Sequence, residues 1–126
     1  MLDRGGEGCK VAGVKPEVLI KIRRAKDSSA TELYLTDNNI TNVALLTEMT
    51  KLVTLSLPEN QITDVSPLAG LTELEVLSLV SNQLTDVTPL AELVKLKTLY
   101  LGDNSIPVDQ QAMLRNALPN CKIYFD

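Results

Sequence analysis

The side chains able to do covalent or acid–base chemistry are few in this chain, and their spacing does not suit it. Histidine is absent, which removes the commonest general base near neutral pH. The two cysteines, Cys9 and Cys121, stand at opposite ends and show neither the close spacing of a zinc site nor the framework of a disulfide-stapled domain. Carboxylates are plentiful, but candidates such as Glu59 and Asp103 fall on separate segments, and no glycine-rich phosphate loop precedes a helix. The sequence therefore reads as a non-enzyme, with no catalytic, metal-binding or cofactor-binding residues and no cofactor.

Composition narrows the class further. At 126 residues and 44% apolar the chain fits one domain with one core, and at 3% aromatic that core must be assembled from Leu, Val, Ile and Ala. The net charge of −4 is unevenly spread: residues 1–29 carry seven Lys or Arg against four acids, and residues 30–126 carry five against twelve. An acidic body repels phosphate backbones, and the basic leading end lacks aromatics for stacking on bases, so no nucleic-acid partner is expected. No window approaches the ~20 apolar residues of a membrane span, and the first residues hold no signal-peptide core. Two widely separated thiols suit a reducing compartment, and the expected location is cytoplasmic.

What the remaining residues do is repeat. Leu33, Leu55, Leu77 and Leu99 recur every 22 residues, as do Leu35, Leu57, Leu79 and Leu101, and Asn38, Asn60, Asn82 and Asn104. Ile40, Ile62, Leu84 and Ile106 form a further column, and Val43, Val65 and Val87 another. Apolar residues alternate through the first half of each repeat, the pattern of a short strand with one buried face. One strand per repeat, always in the same direction, requires a parallel sheet with returns across the far side of each coil. Ser66-Pro67 and Thr88-Pro89 mark where returns begin a helical turn, with Ser or Thr expected as cap and Pro in the first turn. The asparagines form a structural ladder, because an amide both donates and accepts where the chain turns inward and leaves backbone groups unpaired.

The segments LPENQITDVSPLAGLTEL and LVSNQLTDVTPLAELVKL resemble the 22-residue leucine-rich repeats of bacterial internalin-type proteins, with their pattern LxxLxLxxNxIxDVxPLxxL, over about residues 30–106. The resemblance implies a curved right-handed solenoid that binds proteins on its concave sheet, and it names no partner. The first repeat departs from the pattern at its convex turn, having NVALLTEM in place of the Asp-Val and Pro-Leu pairs.

The expected fold is an α/β solenoid: a leucine-rich repeat with about five short parallel strands, short helical or 3-10 convex turns and helical caps at both ends. Residues 1–14 read as a glycine-rich or disordered leader, 15–29 as an N-terminal capping helix, 30–106 as four repeats and 107–126 as a C-terminal cap of helix plus last strand. The first helix is expected over Pro16–Lys26, with Val18, Leu19, Ile22 and Ala25 on one face and its cations suiting the C-terminal end of the dipole. The second is expected to be capped near Asp109 and stopped by Pro119. Continuing the 22-residue step from Leu99 and Leu101 lands on Cys121 and Ile123, so Cys121 is expected at a leucine site, as a small buried side chain.

Residues between the buried leucines must point out of the sheet. The expected columns are Tyr34, Ser56, Ser78, Tyr100, Lys122 and Thr36, Pro58, Val80, Gly102, Tyr124, with Glu32, Thr54, Val76 and Thr98 leading into the strands. The candidate partner-binding residues are Tyr34, Ser56, Val76, Ser78, Val80, Tyr100, Lys122 and Tyr124. Tyrosine also follows from strand propensity alone, but tyrosines beside an apolar Val76 and Val80 patch match an interface. Asp37, Glu59, Ser81 and Asp103 precede the asparagines, where turn chemistry and recognition of a basic partner both account for them. The expected function is a protein–protein interaction module, monomeric, with a protein partner. The other reading is a structural or self-associating repeat, or a fragment of a larger one. Five strands at about 4.8 Å span only about 20–25 Å, and a stable complex uses about 800 Å² per partner, so binding is expected to be weak, to recruit the flanks or to occur in a larger assembly.

Overall fold

Alternating leucines make strands only if neighbours are available to cover them, and here each strand's neighbour is the same segment one repeat later. The computed structural model describes residues 15–36 and 39–125. The leader with Cys9, residues Asp37 and Asn38, and Asp126 lie outside the described residues. Helix α1 (Pro16–Asp27) is followed by strands β1 (Glu32–Tyr34), β2 (Thr54–Ser56), β3 (Val76–Ser78) and β4 (Thr98–Tyr100), then helix α2 (Val108–Ala117) and strand β5 (Lys122–Tyr124). The strands form one five-stranded sheet in chain order, parallel throughout. Short 3-10 turns at Ala44–Leu46, Ser66–Leu68 and Thr88–Glu92 make the returns. The first repeat forms its turn despite its divergent sequence.

Leu55, Leu77 and Leu99 sit in register and are fully buried, sharing one continuous core with Ile62, Val65, Leu68 and their equivalents in the next coil. This is the physical basis of the repeat: a single coil has no interior, and only stacking removes its leucines from water.

Among the described residues, asparagines hold the turns that follow β2, β3 and β4. Asn60 Nδ2 donates to the carbonyls of Leu35, Leu57 and Pro58 at 2.9, 3.0 and 3.1 Å, and its Oδ1 accepts the Ile40 N–H at 3.0 Å. Asn82 and Asn104 repeat the arrangement one and two coils on, accepting from Ile62 and Leu84. Each amide thus bonds its own coil and the preceding one, and Asn60 and Asn82 are buried while doing so.

The caps of the convex turns differ from expectation. Ser66 and Thr88 make no side-chain cap; instead the Ser66 and Thr88 N–H groups donate to Asp64 Oδ1 and Asp86 Oδ1 at 2.9 and 3.0 Å. Asn42 serves Ala44 in the same way in the first repeat. These bonds hold the Asp64 and Asp86 carboxyls below the usual carboxylate range, in Asp64 chiefly through the Ser66 N–H and in Asp86 chiefly through the Thr88 hydroxyl.

A helix precedes the first coil and another lies within the last. α1 runs one residue past the expected Lys26 and buries Val18, Leu19 and Ile22, with Ala25 packed alongside. Its last turn is tied to the first coil through the Lys26–Glu48 ion pair. α2 packs on the Thr88–Glu92 turn, buries Leu114, and supplies Gln110 Oε1 to the Val87 N–H at 2.9 Å. Its N-cap is Pro107, so Asp109 lies inside the first turn rather than at the cap.

The C-terminal register also differs from expectation. Leu99 pairs with Ile123, a step of 24 residues, where Leu77 to Leu99 is 22. The coil between β4 and β5 contains a ten-residue α-helix instead of a 3-10 turn, and its extra length displaces the last strand by two positions. Cys121 therefore precedes β5, half-buried against the core, and Ile123 takes the leucine site.

Candidate functional site

The face of the sheet opposite the leucines carries the candidate residues. Strand register puts Tyr34, Ser56, Ser78, Tyr100 and Tyr124 in a single row across all five strands. Tyr124 thus joins the row expected to end in Lys122, and Lys122 instead closes the row of Glu32, Thr54, Val76 and Thr98. The consequence is direct contact: the Tyr100 and Tyr124 rings stack with centroids 5.2 Å apart and planes 11° from parallel.

The tyrosines stand up from the sheet, Tyr34 at 53%, Tyr100 at 39% and Tyr124 at 47% exposed. Between the Tyr34 and Tyr100 rings the two serines leave a shallow groove, floored by Thr54, Ser56, Pro58, Val76, Ser78 and Val80. It gathers six of the eight candidate residues. Tyr124 and Lys122 lie beyond the Tyr100 wall, on β5. Thr54 and Pro58 were not among the candidates, although both stand in outward columns; a small or ring-closed side chain gives no interface signal until taller neighbours make it a floor.

Tyr34 is held by its own strand. Its hydroxyl donates to Glu32 Oε1 at 3.2 Å, and desolvation with this carboxylate contact raises its pKa above the ordinary phenol value. At the far end Arg115 lies over the Phe125 ring, 4.8 Å from its centroid, behind β5.

The rim after the strands is built from left-handed residues. Glu59, Ser81 and Asp103 have φ of 57°, 59° and 57°. The backbone ladder continues into this rim, with Glu59 N–H donating to Val80 O and Ser81 N–H to Gly102 O, both at 2.9 Å. The Ser81 hydroxyl donates to Asp103 Oδ2 at 2.9 Å. Both carboxylates are exposed. At the leading edge Glu75 and Lys97 form an ion pair, 3.2 Å apart. Among the described residues no group of His, Cys, Asp or Glu could hold a metal ion, and no helix is long and apolar enough to cross a membrane.

A parallel sheet of short strands, 3-10 returns and an asparagine in the turns after β2, β3 and β4 define a leucine-rich-repeat solenoid. The pattern described as Leucine Rich repeats (2 copies) matches residues 31–70, 50–92 and 72–116, and the chain belongs to that family. Similar solved structures include an internalin, inlF, of Listeria monocytogenes, with 26% identity and a TM-score of 0.77 over 83% of this chain and 31% of that one. Internalin C2 of the same species has 43% identity and a TM-score of 0.71 over 81% of this chain and 44% of its own. A leucine-rich-repeat protein of Leptospira interrogans has 29% identity and a TM-score of 0.73 over 82% of this chain and 27% of its own. The chain therefore spans less than half the length of each of these proteins. No curated protein matches it in sequence. The repeats are of the bacterial internalin-like kind, a family that typically mediates protein–protein interaction.

Proposed function

We propose that this chain is a non-catalytic protein-binding module whose partner docks on the outward face of the sheet. The observation that carries the reading is the row Tyr34, Ser56, Ser78, Tyr100, Tyr124, which puts three exposed aromatic rings and an apolar floor on one rigid surface. Large amphipathic rings fixed to a sheet bury much area at little entropic cost, which is why tyrosine recurs at interface hot spots. The asparagine ladder supports this role indirectly, by fixing the coils that carry the rings. The chain acts as a monomer in the cytoplasm; the free Cys121 thiol accords with a reducing compartment.

Affinity capture from a native extract, followed by titration of the purified captured protein, tests the reading. Tyr100→Ala and Tyr124→Ala should each weaken that binding by about tenfold. A captured protein whose affinity ignores both changes refutes the sheet-face assignment. Size-exclusion chromatography with light scattering separates the self-associating alternative: a mass that stays monomeric with increasing concentration supports the docking module, and a dimer supports self-assembly.

A further inference from the structure

The groove between Tyr34 and Tyr100 has a definite width, and the width selects an occupant. The two residues share a row but stand on β1 and β4, three strand spacings apart. Three spacings are about 14 Å. One ring's van der Waals thickness, about 3.5–4 Å, leaves a slot roughly 10 Å across. An α-helix with its side chains measures about 10–12 Å. A single extended segment, at about 4.8 Å per strand, leaves half of that width empty.

The slot's length and charge point the same way. Its floor runs with the strands, and the ladder extends it from Thr54 to Glu59. That is about 20 Å at 3.3 Å per residue, the length of a helix of about 13 residues. The floor is uncharged: Thr54, Ser56, Pro58, Val76, Ser78 and Val80. Charge sits at the two ends. The leading end is mixed, with Glu32, the Glu75–Lys97 ion pair and, just beyond the Tyr100 wall, Lys122, while the trailing end carries only the carboxylates Glu59 and Asp103 among the described residues bordering the slot. An acidic end to an uncharged trough complements a helix N-terminus, which carries about half a positive charge. A β-hairpin of similar width has no such dipole.

We propose that the slot takes an amphipathic α-helix of the partner protein, lying along the strands with its apolar stripe on Val76 and Val80 and its N-terminal end at Glu59 and Asp103. This rests on the sheet-face reading above and adds the shape and polarity of what binds there. Tyr34 and Tyr100 flank the helix, and the two serines give it room.

The test uses displayed libraries of peptides of about 13 residues, one of side-chain-stapled amphipathic helices, one of cyclised hairpins and one of proline-rich extended segments, selected against the full chain. The expected result is binders from the helix library. Their affinity should fall at least about tenfold with Val80→Lys and with Tyr34→Ala, fall severalfold with Glu59→Gln combined with Asp103→Asn, and be unchanged by Lys95→Ala outside the slot. Far-ultraviolet circular dichroism of each variant confirms that the solenoid is intact. Binders from only the hairpin or extended libraries, still sensitive to Val80→Lys, overturn the helix assignment and leave the sheet-face reading standing. Binders indifferent to both Val80→Lys and Tyr34→Ala overturn both, and a concentration-dependent dimer abolished by Val80→Lys shows that a second copy occupies the slot instead.

Discussion

Asn82 accepts the Ile62 N–H at 3.0 Å through its Oδ1, a bond that helps pin one coil to the coil before it. The same amide donates to Leu57, Leu79 and Val80 carbonyls. Replacing Asn82 by Ala should cost about 1–3 kcal/mol, because these buried groups lose their partner. Asn82→Asp should cost more at neutral pH, since a carboxylate oxygen would face carbonyls where the amide now donates. Urea unfolding of both variants measures this, and an aspartate variant as stable as wild type would refute the donor's role.

Leu77 is fully buried between neighbours in β2 and β4, whereas Ile123 at the last strand is only half-buried. Leu77→Ala should cost about 2–5 kcal/mol by leaving a cavity with walls on both sides. Ile123→Ala should cost less, about 1–2 kcal/mol, because less apolar area leaves water at the end of the stack. Equal losses in thermal or urea unfolding would contradict this end effect.

Asp64 and Asp86 make the solenoid sensitive to acid. Their folded-state pKa values are depressed, so the ionised forms stabilise the fold. That contribution is fully present above the ordinary aspartate value of about 3.9 and is lost as pH falls through the lower folded value. The double variant Asp64→Asn, Asp86→Asn should keep the capping bonds, as Asn42 does in the first repeat. Its stability should fall less steeply than wild type between about pH 5 and pH 2. Parallel acid titrations followed by circular dichroism would show the two slopes.

Cys121 is half-buried, its S–H points at the Lys122 carbonyl 3.6 Å away, and desolvation pushes its pKa up. A raised value means less thiolate at a given pH and slower attack on a disulfide reagent. In a Cys9→Ser chain, Cys121 should react roughly tenfold or more slowly than in the urea-unfolded chain. Matching rates would show that packing gives it no protection.

Glu59 holds a left-handed backbone at φ 57° without the tolerance of glycine or asparagine. Glu59→Asn should raise stability by about 0.5–1 kcal/mol, read from the urea midpoint. No gain would mean that the rim imposes no strain.

Most of the fold was legible because its rules are local and repeated. Leu33 to Leu99 and Asn60 to Asn104 recur at a constant step, so the register of one coil settles the register of the next, and strand order follows chain order. The outward position of Tyr34, Ser56, Ser78 and Tyr100 followed from the same alternation. Asp64 and Asp86 were visible in the sequence but not their role, since a short carboxylate capping from two residues upstream leaves the same trace as a solvated acid.

The tertiary structure alone decided the register of the last coil. The helix itself was legible in the sequence, but nothing in the period announces that it lengthens the step by two residues, because where the chain re-enters the sheet depends on how α2 packs against the Thr88–Glu92 turn. That packing moves Tyr124 beside Tyr100, puts Ile123 in the core position expected for Cys121 and sets Lys122 at the leading edge. The sequence by itself determined which residues face outward in the regular coils. Three-dimensional packing determined which of them touch, since contact between side chains on different strands depends on the full length of chain between them.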